Sequence, residues 1–304
     1  MALKWLRTLG LGHFFQAFVF YNQVRRGDMY NKVYVEITNI CNMSCSFCHG
    51  HSRPSRQMTA DEFSLVLDKL SGQTEYIYYH LMGEPLTHPL LPDFIALAGR
   101  RGYKSIVTTN GTLLNKRADE LLNSGVHKIN ISLHSFESGS DEAHSEYICR
   151  LAAFAQRAAD KGIIIVFRLW NKGFDGGKNE TVFRLLKENI SGEWADNTRG
   201  IRIRNKIHLE WGEKFEWPDS SEEIKGDKVF CYGLKDQFGI LSDGTIVPCC
   251  LDSDGVISLG NIFTEDIQSI LQSERALRIL EGFKCGTASE ELCRRCGYAQ
   301  RFTR

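Results

Sequence analysis

From Lys32 onward the sequence alternates short β-branched and aromatic runs with helical stretches, six times over, and that alternation predicts an α/β fold of parallel strands joined by crossover helices. Six such units are too few to close an eight-stranded barrel. After about residue 207 the alternation stops and a second cysteine-bearing region follows. This divides the 304-residue chain into an N-terminal segment (1–30), an α/β body (31–207) and a C-terminal region (208–304). At 42% hydrophobic and 24% charged residues, the chain has enough apolar side chains to bury a core. Its 37 basic and 37 acidic residues cancel, so no global field draws it to nucleic acid or to an anionic membrane.

The first thirty residues set Lys4 and Arg7 ahead of an apolar stretch from Leu9 to Tyr21. His13, Gln16 and two glycines interrupt that stretch, no small-residue cleavage site follows it, and it is too short to span a bilayer. The pattern predicts an amphipathic helix with Leu6, Leu9, Phe14, Phe18 and Val19 as its stripe, packed against the body. Contact with a membrane surface is the less favoured use of the same stripe.

The elements of the body then follow in order. Strand one is predicted over Val33 to Thr38, and the first helix opens at Thr59-Ala60-Asp61-Glu62, a capping box. Strand two covers Glu75 to Leu81 with a helix near Leu90 to Arg101; strand three covers Ser105 to Thr109 with a helix near Lys116 to Ser124. Strand four runs from Lys128 to Leu133, ahead of a helix across Asp141 to Asp160 that carries Cys149, read as a buried apolar residue. Strand five spans Ile163 to Leu169 with a helix near Glu180 to Asn189, and strand six spans Gly200 to Arg204. The stretch from His208 to Pro218 reads as irregular, with Trp211, Phe215 and Trp217 packing over a cavity or meeting a substrate.

Cysteines carry the chemistry. Cys41, Cys45 and Cys48 lie in a C-x3-C-x2-C run directly behind strand one, with Phe47 before the last. Thiolates suit zinc or iron-sulfur clusters, and three of them leave one coordination position to be filled from elsewhere. Ten cysteines are too sparse in a chain this long for a disulfide scaffold; their C-x2-C groupings fit metal ligation in a reducing compartment, the cytoplasm. The C-terminal region repeats the theme. Cys231 precedes two β runs about the turn Asp243-Gly244, Pro248-Cys249 ends them, and Leu259-Gly260-Asn261-Ile262 and a helix from Thr264 to about Leu280 lead to Cys293-Arg294-Arg295-Cys296. Cys250 and Cys285 are alternative ligands there, and zinc is an alternative metal at both groups.

Taken together, these motifs resemble the radical S-adenosylmethionine (SAM) enzymes with a C-terminal SPASM or shortened twitch extension. The resemblance covers about residues 32 to 296. It implies an open partial (β/α)6 barrel of TIM type with a small α+β extension. It implies a SAM-binding [4Fe-4S] cluster on Cys41, Cys45 and Cys48 that splits SAM reductively to a 5'-deoxyadenosyl radical. An auxiliary iron-sulfur cluster, of [4Fe-4S] type, falls on Cys231, Cys249, Cys293 and Cys296. Strand-end motifs supply the SAM contacts: Gly83 and Glu84 of Met82-Gly83-Glu84-Pro85 for the ammonium, Asn110 of the Thr-Asn-Gly element, Ser132 for the ribose and Arg168 for the carboxylate, beside Phe47 of the cysteine motif. His134 stands where many relatives carry Asp and is the candidate acid or base.

The implied activity is hydrogen abstraction from a small molecule or a peptide, with net dehydrogenation or peptide cross-linking as the outcome, and with a flavodoxin- or ferredoxin-type protein as electron donor. The cysteine spacing of the extension resembles members that oxidise a secondary alcohol, while peptide maturases share the wider architecture. The contrasting reading is a non-enzymatic iron-sulfur or zinc protein that carries electrons or senses redox state. It accounts for the cysteines and leaves Gly83, Glu84, Ser132 and Arg168 without a role.

Overall fold

The computed structural model describes residues 29–136 and 140–302. The helix expected across Leu9 to Tyr21 lies outside the described residues. Among the described residues, ten strands make one open sheet. Strands β1 (Lys32–Val35), β2 (Tyr76–Tyr79), β3 (Lys104–Thr109), β4 (Lys128–Ser132) and β5 (Ile164–Lys172) run parallel in chain order, as the alternation predicts.

The sixth parallel strand differs from the expectation. Residues Gly200–Arg204 do form a strand, β7, but it runs antiparallel between β6 (Ala195–Asn197) and β8 (Ile207–Glu213), and β8 is the parallel neighbour of β5. The reason is the connection: only two residues, with Lys206 at φ 67°, separate β7 from β8, and a link that short joins antiparallel strands alone. At the other edge, β9 (Gln237–Ile240) pairs parallel with β1, and β10 (Ile246–Val247) folds back on β9. The C-terminal region therefore extends the same sheet.

Side chains alternate across each strand. Val33, Val35, Ile77, Tyr79, Val107, Ile129, Ile131, Ile165 and Phe167 point to one face and are buried against the helices. Those helices are α1 (Ala60–Lys69), α2 (Leu91–Arg100), α3 (Leu114–Asn123), α4 (Asp141–Asp160) and α5 (Lys178–Asn189), which contribute Phe63, Leu67, Phe94, Leu121, Leu151 and Leu186 to the core. Each fully buried aliphatic side chain of this layer stabilises the fold by roughly 1.5–3 kcal/mol. Cys149 packs half-buried against the same core. The capping box at α1 is realised: the Glu62 amide donates to Thr59 Oγ1 at 3.2 Å, and the Thr59 amide donates to Glu62 Oε2 at 2.8 Å. The opposite, concave face of the sheet is left for polar residues.

In the C-terminal region the single helix expected from Thr264 is two, α6 (Ile267–Leu271) and α7 (Glu274–Lys284), because Ser273 starts a new helix by accepting from the Ala276 amide. A short α8 (Glu291–Arg294) ends at the C-x2-C pair. Among the described residues no helix is long and apolar enough to cross a membrane.

Candidate active site

The first cysteine group occupies a loop that leaves the carboxyl end of β1 and is closed by a bridge between Thr38 and Gln57. Local bonds give it one shape. The Cys48 amide donates to Cys45 O at 3.1 Å, and the Cys45 thiol donates to Ser135 O at 3.6 Å. Asn42 donates to Thr112 Oγ1 at 2.9 Å and accepts from Asn110 Nδ2 at 3.0 Å, so Asn110 holds the cysteine loop from the end of β3. Cys41 and Cys48 stay exposed, and partial burial pushes the Cys41 thiol up.

The exit of the loop is anchored by charge. Glu36, with no solvent exposure, pairs two-fold with Arg53 at 2.8 and 2.7 Å and also accepts from the amides of Met82 at 3.2 Å and Ser242 at 3.0 Å. Arg53 Nε donates to Ser253 O at 2.8 Å, and Ser52 is bound through its amide and hydroxyl to Asp254. One carboxylate thus joins β1, the cysteine loop, the end of β2 and the C-terminal hairpin.

Gly83 and Glu84 shape the end of β2. Gly83 adopts φ 74°, and a Cβ there would lie 2.5 Å from the Thr38 carbonyl oxygen, so only glycine lets the two strand ends approach. The Glu84 carboxylate accepts from the Leu86 amide at 3.0 Å and the Asn110 amide at 2.7 Å, tying β2 to β3. Burial raises its pKa to about 7, against the pull of those bonds.

The concave face opens into a cavity of about 660 Å³. Phe47, Ser132, His134 and Arg168, four of the residues expected from sequence, line it together with Cys231, Cys249, Cys293 and Cys296. Gly83, Glu84, Asn110 and the thiols of Cys41, Cys45 and Cys48 lie outside that lining. Phe47 bridges the two sets: its ring meets the His134 ring at 4.6 Å, and its carbonyl accepts from Trp217 Nε1 at 3.0 Å. His134 Nδ1 lies 3.1 Å from Arg168 O and 3.4 Å from the Trp170 amide; the shorter contact makes Nδ1–H the donor and leaves the lone pair on Nε2. Phe215 and Trp217 line the cavity as expected, whereas Trp211 is exposed.

Four lining residues carry no motif in the sequence, Tyr34, Tyr78, Lys128 and Glu210, and a fifth, His80, sits near one without a rank. Their signal was the strand alternation itself, since each lies two residues or an even number from another cavity-facing position. His80 is held neutral, its pKa lowered to about 3 by burial and by the nearby Arg168 and Lys32. Buried atoms without a protein partner cluster on this face: Arg168 Nε, His80 Nδ1 and Asn130 Oδ1. Such orphans call for a polar ligand.

The second cysteine group meets around one end of the cavity. Burial pushes the Cys231 thiol up to about 11 and raises those of Cys249, Cys293 and Cys296, and the neighbouring thiols add to the rise at Cys231, Cys249 and Cys293. Mutually repelling thiolates of this kind fit a cationic cluster. Cys250 lines the cavity beside Tyr34, while Cys285 sits exposed at the end of α7 with its thiol donating to Glu281 at 3.6 Å. Among the described residues no three His, Cys, Asp or Glu side chains are placed to share a single metal ion. A four-iron cluster gives each thiolate its own iron and asks only that the thiols face a common chamber.

Residues 35–168 match the model of the radical SAM superfamily, and residues 231–297 match an iron-sulfur cluster-binding domain, SPASM. A probable GTP 3',8-cyclase of Sulfolobus acidocaldarius is 34% identical over 300 residues, covering 81% of this chain and 91% of the cyclase. The chain belongs to the radical SAM superfamily. Matches to further GTP 3',8-cyclases cover 36 to 45% of those proteins. Among solved structures, Streptococcus suis SuiB bound to S-adenosylmethionine superposes with a TM-score of 0.60 at 15% identity, over 95% of this chain and 78% of SuiB. BtrN in complex with AdoMet and 2-DOIA superposes with a TM-score of 0.57 at 16% identity, over 88% of this chain and 93% of BtrN. At these identities the likeness is one of fold, the partial barrel expected from sequence. As a radical SAM protein with a SPASM domain, the chain works with S-adenosylmethionine and [4Fe-4S] clusters. Three thiols outside any disulfide, two of them exposed, beside a cavity holding orphaned polar atoms, suit that pair of cofactors.

Proposed function

We propose that this radical SAM enzyme takes hydrogen from a substrate held in the concave cavity, with net dehydrogenation or peptide cross-linking as the outcome. The supporting observation is that one chamber is lined both by the strand-end residues beside the first cysteine loop and by the thiols of the second group. Bound at the first cluster, on Cys41, Cys45 and Cys48, S-adenosylmethionine supplies a primary carbon radical on one-electron reduction. The chain positions the reaction. Ser132 and Arg168 present a hydroxyl and a guanidinium to the bound co-substrate. His134, with Nδ1–H donating to Arg168 O, offers Nε2 to a proton released as the substrate is oxidised. Phe215 and Trp217 cover the chamber with apolar surface. Cys231, Cys249, Cys293 and Cys296, which line the same chamber, would hold an auxiliary cluster that would accept an electron from the substrate, and a flavodoxin- or ferredoxin-type donor would serve the first cluster. A simple electron carrier has no use for a chamber of this size with unsatisfied polar atoms in its wall.

The test is anaerobic turnover of S-adenosylmethionine with dithionite. The expected result is 5'-deoxyadenosine formation in the wild-type protein, lost in the Cys41→Ala, Cys45→Ala and Cys48→Ala variants. Formation no faster than in a no-enzyme control removes the proposal.

A further inference from the structure

Apart from Arg168, the cations of the cavity have no role in the chemistry above. Lys32 and Lys128 open β1 and β4 at the amino end of the sheet, Arg199 enters from the turn between β6 and β7, and all three line the cavity with Arg168. Among the described residues, none of these four side chains is in an ion pair. They stand close enough for their charges to be felt: burial lowers the Lys128 pKa, and Arg168, Arg199 and Lys32 lower it further. Lys214 adds a fifth positive charge to the lining. The facing carboxylates are Glu210, Asp236 and Asp252. Two of them are engaged already, Asp252 by the Val256 and Ile257 amides at 2.9 and 2.8 Å and Asp236 by the Asn31 amide group. The balance is an excess of positive charge in a partly enclosed space, which is costly unless an anion enters.

We propose that this end of the cavity binds an oxyanionic group of the substrate, a phosphoryl or dicarboxylate group, with Lys32, Lys128 and Arg199 as its counter-charges and the Arg168 guanidinium beside them. The proposal deepens the reading of the cavity as a substrate chamber and rests on it. S-adenosylmethionine does not account for these cations. It brings one carboxylate, and the loop of Cys41, Cys45 and Cys48 that would hold its cluster leaves the carboxyl end of β1. Lys128 stands four residues before Ser132 on β4, about 13 Å toward the other end at the rise of a strand. Lysine and arginine together suit an oxyanion: the first as a compact charge, the second through its planar fork. A cavity of about 660 Å³ is also of the size that takes small molecules.

The experiment uses the anaerobically purified holoprotein, titrated calorimetrically at low salt with pyrophosphate and, in a parallel arm, with malonate. One of the two anions is expected to bind. Lys128→Met and Arg199→Ser are each expected to weaken that binding at least tenfold, Lys128→Arg to restore most of it, and the exposed Lys284→Met, outside the cavity lining, to leave it unchanged. Preference for pyrophosphate assigns the site to a phosphoryl group, preference for malonate to a dicarboxylate. Arg199 lies on an exposed turn, so its variant keeps the test open should Lys128→Met fail to fold. Absence of binding by either anion, or affinity unchanged in both variants, overturns the proposal. Formation of 5'-deoxyadenosine by the wild-type protein in the same preparation reports on the radical SAM reading separately, so each can fail without the other.

Discussion

Glu84 is a carboxyl group held away from water, 2% exposed, between the ends of two strands. Its pKa is raised by burial to about 7 from an ordinary 4.5, so between those values the folded chain keeps a proton that the unfolded chain releases. Folding stability contributed by this group is therefore present at low pH and is lost as pH rises through about 7. Between pH 5.5 and 8 the loss amounts to about 2 kcal/mol, at 1.36 kcal/mol per unit of pH. Urea unfolding of the anaerobic protein at those two values should show this decline, and Glu84→Gln, which cannot titrate, should flatten it. In the sequence, Glu84 reads as a ligand for the ammonium of S-adenosylmethionine. That both oxygens also meet the amides of Leu86 and Asn110 depends on how β2 and β3 end beside each other, and no local motif carries that information.

At the scale of elements, the Glu36–Arg53 pair is the joint on which the cysteine loop turns. Both side chains are almost wholly enclosed, and Arg53 also reaches Ser253 O. Removing one partner strands a buried charge, which typically costs 3–5 kcal/mol, more than the pair contributes over an apolar replacement. Arg53→Met should therefore lower stability by about 3–5 kcal/mol in denaturant titrations, and the double change Glu36→Gln, Arg53→Met should recover part of it. The elements themselves were largely readable. Runs such as Ile129 to Ile131 and Ile165 to Phe167 alternate with capped helices, and the helix at Asp141–Asp160 falls where its Ser140 cap and apolar spacing put it. Strand β8 lacks the apolar texture of a buried parallel strand because polar residues alternate with Ile207 and Leu209: His208 is half-buried and Glu210 lines the cavity. The pairing of β9 with β1 joins residues some two hundred positions apart, and nothing local in either segment announces it.

The whole molecule brings the second cysteine group into the cavity wall and the loop of the first group to it through Phe47, and the membership of both groups is open to a count of iron. About eight irons per chain are expected if both clusters are four-iron cubanes. Cys249→Ala should remove about half of them, whereas Cys285→Ala, whose thiol is exposed on α7 and away from the cavity, should leave the tally unchanged. The order of motifs announced both groups, and Cys250 lines the cavity with the other thiols, close enough to raise the Cys249 and Cys231 thiols while its own side chain meets Tyr34.

Because β9 lies hydrogen-bonded along β1, the strand that launches the first cysteine loop is an interior strand only while the C-terminal region is in place. Cutting the chain before Gln237 would bare a row of unsatisfied amides and carbonyls on β1, the kind of margin along which separate chains zip together. What looks in the sequence like a detachable tail is thus the selvedge of the sheet.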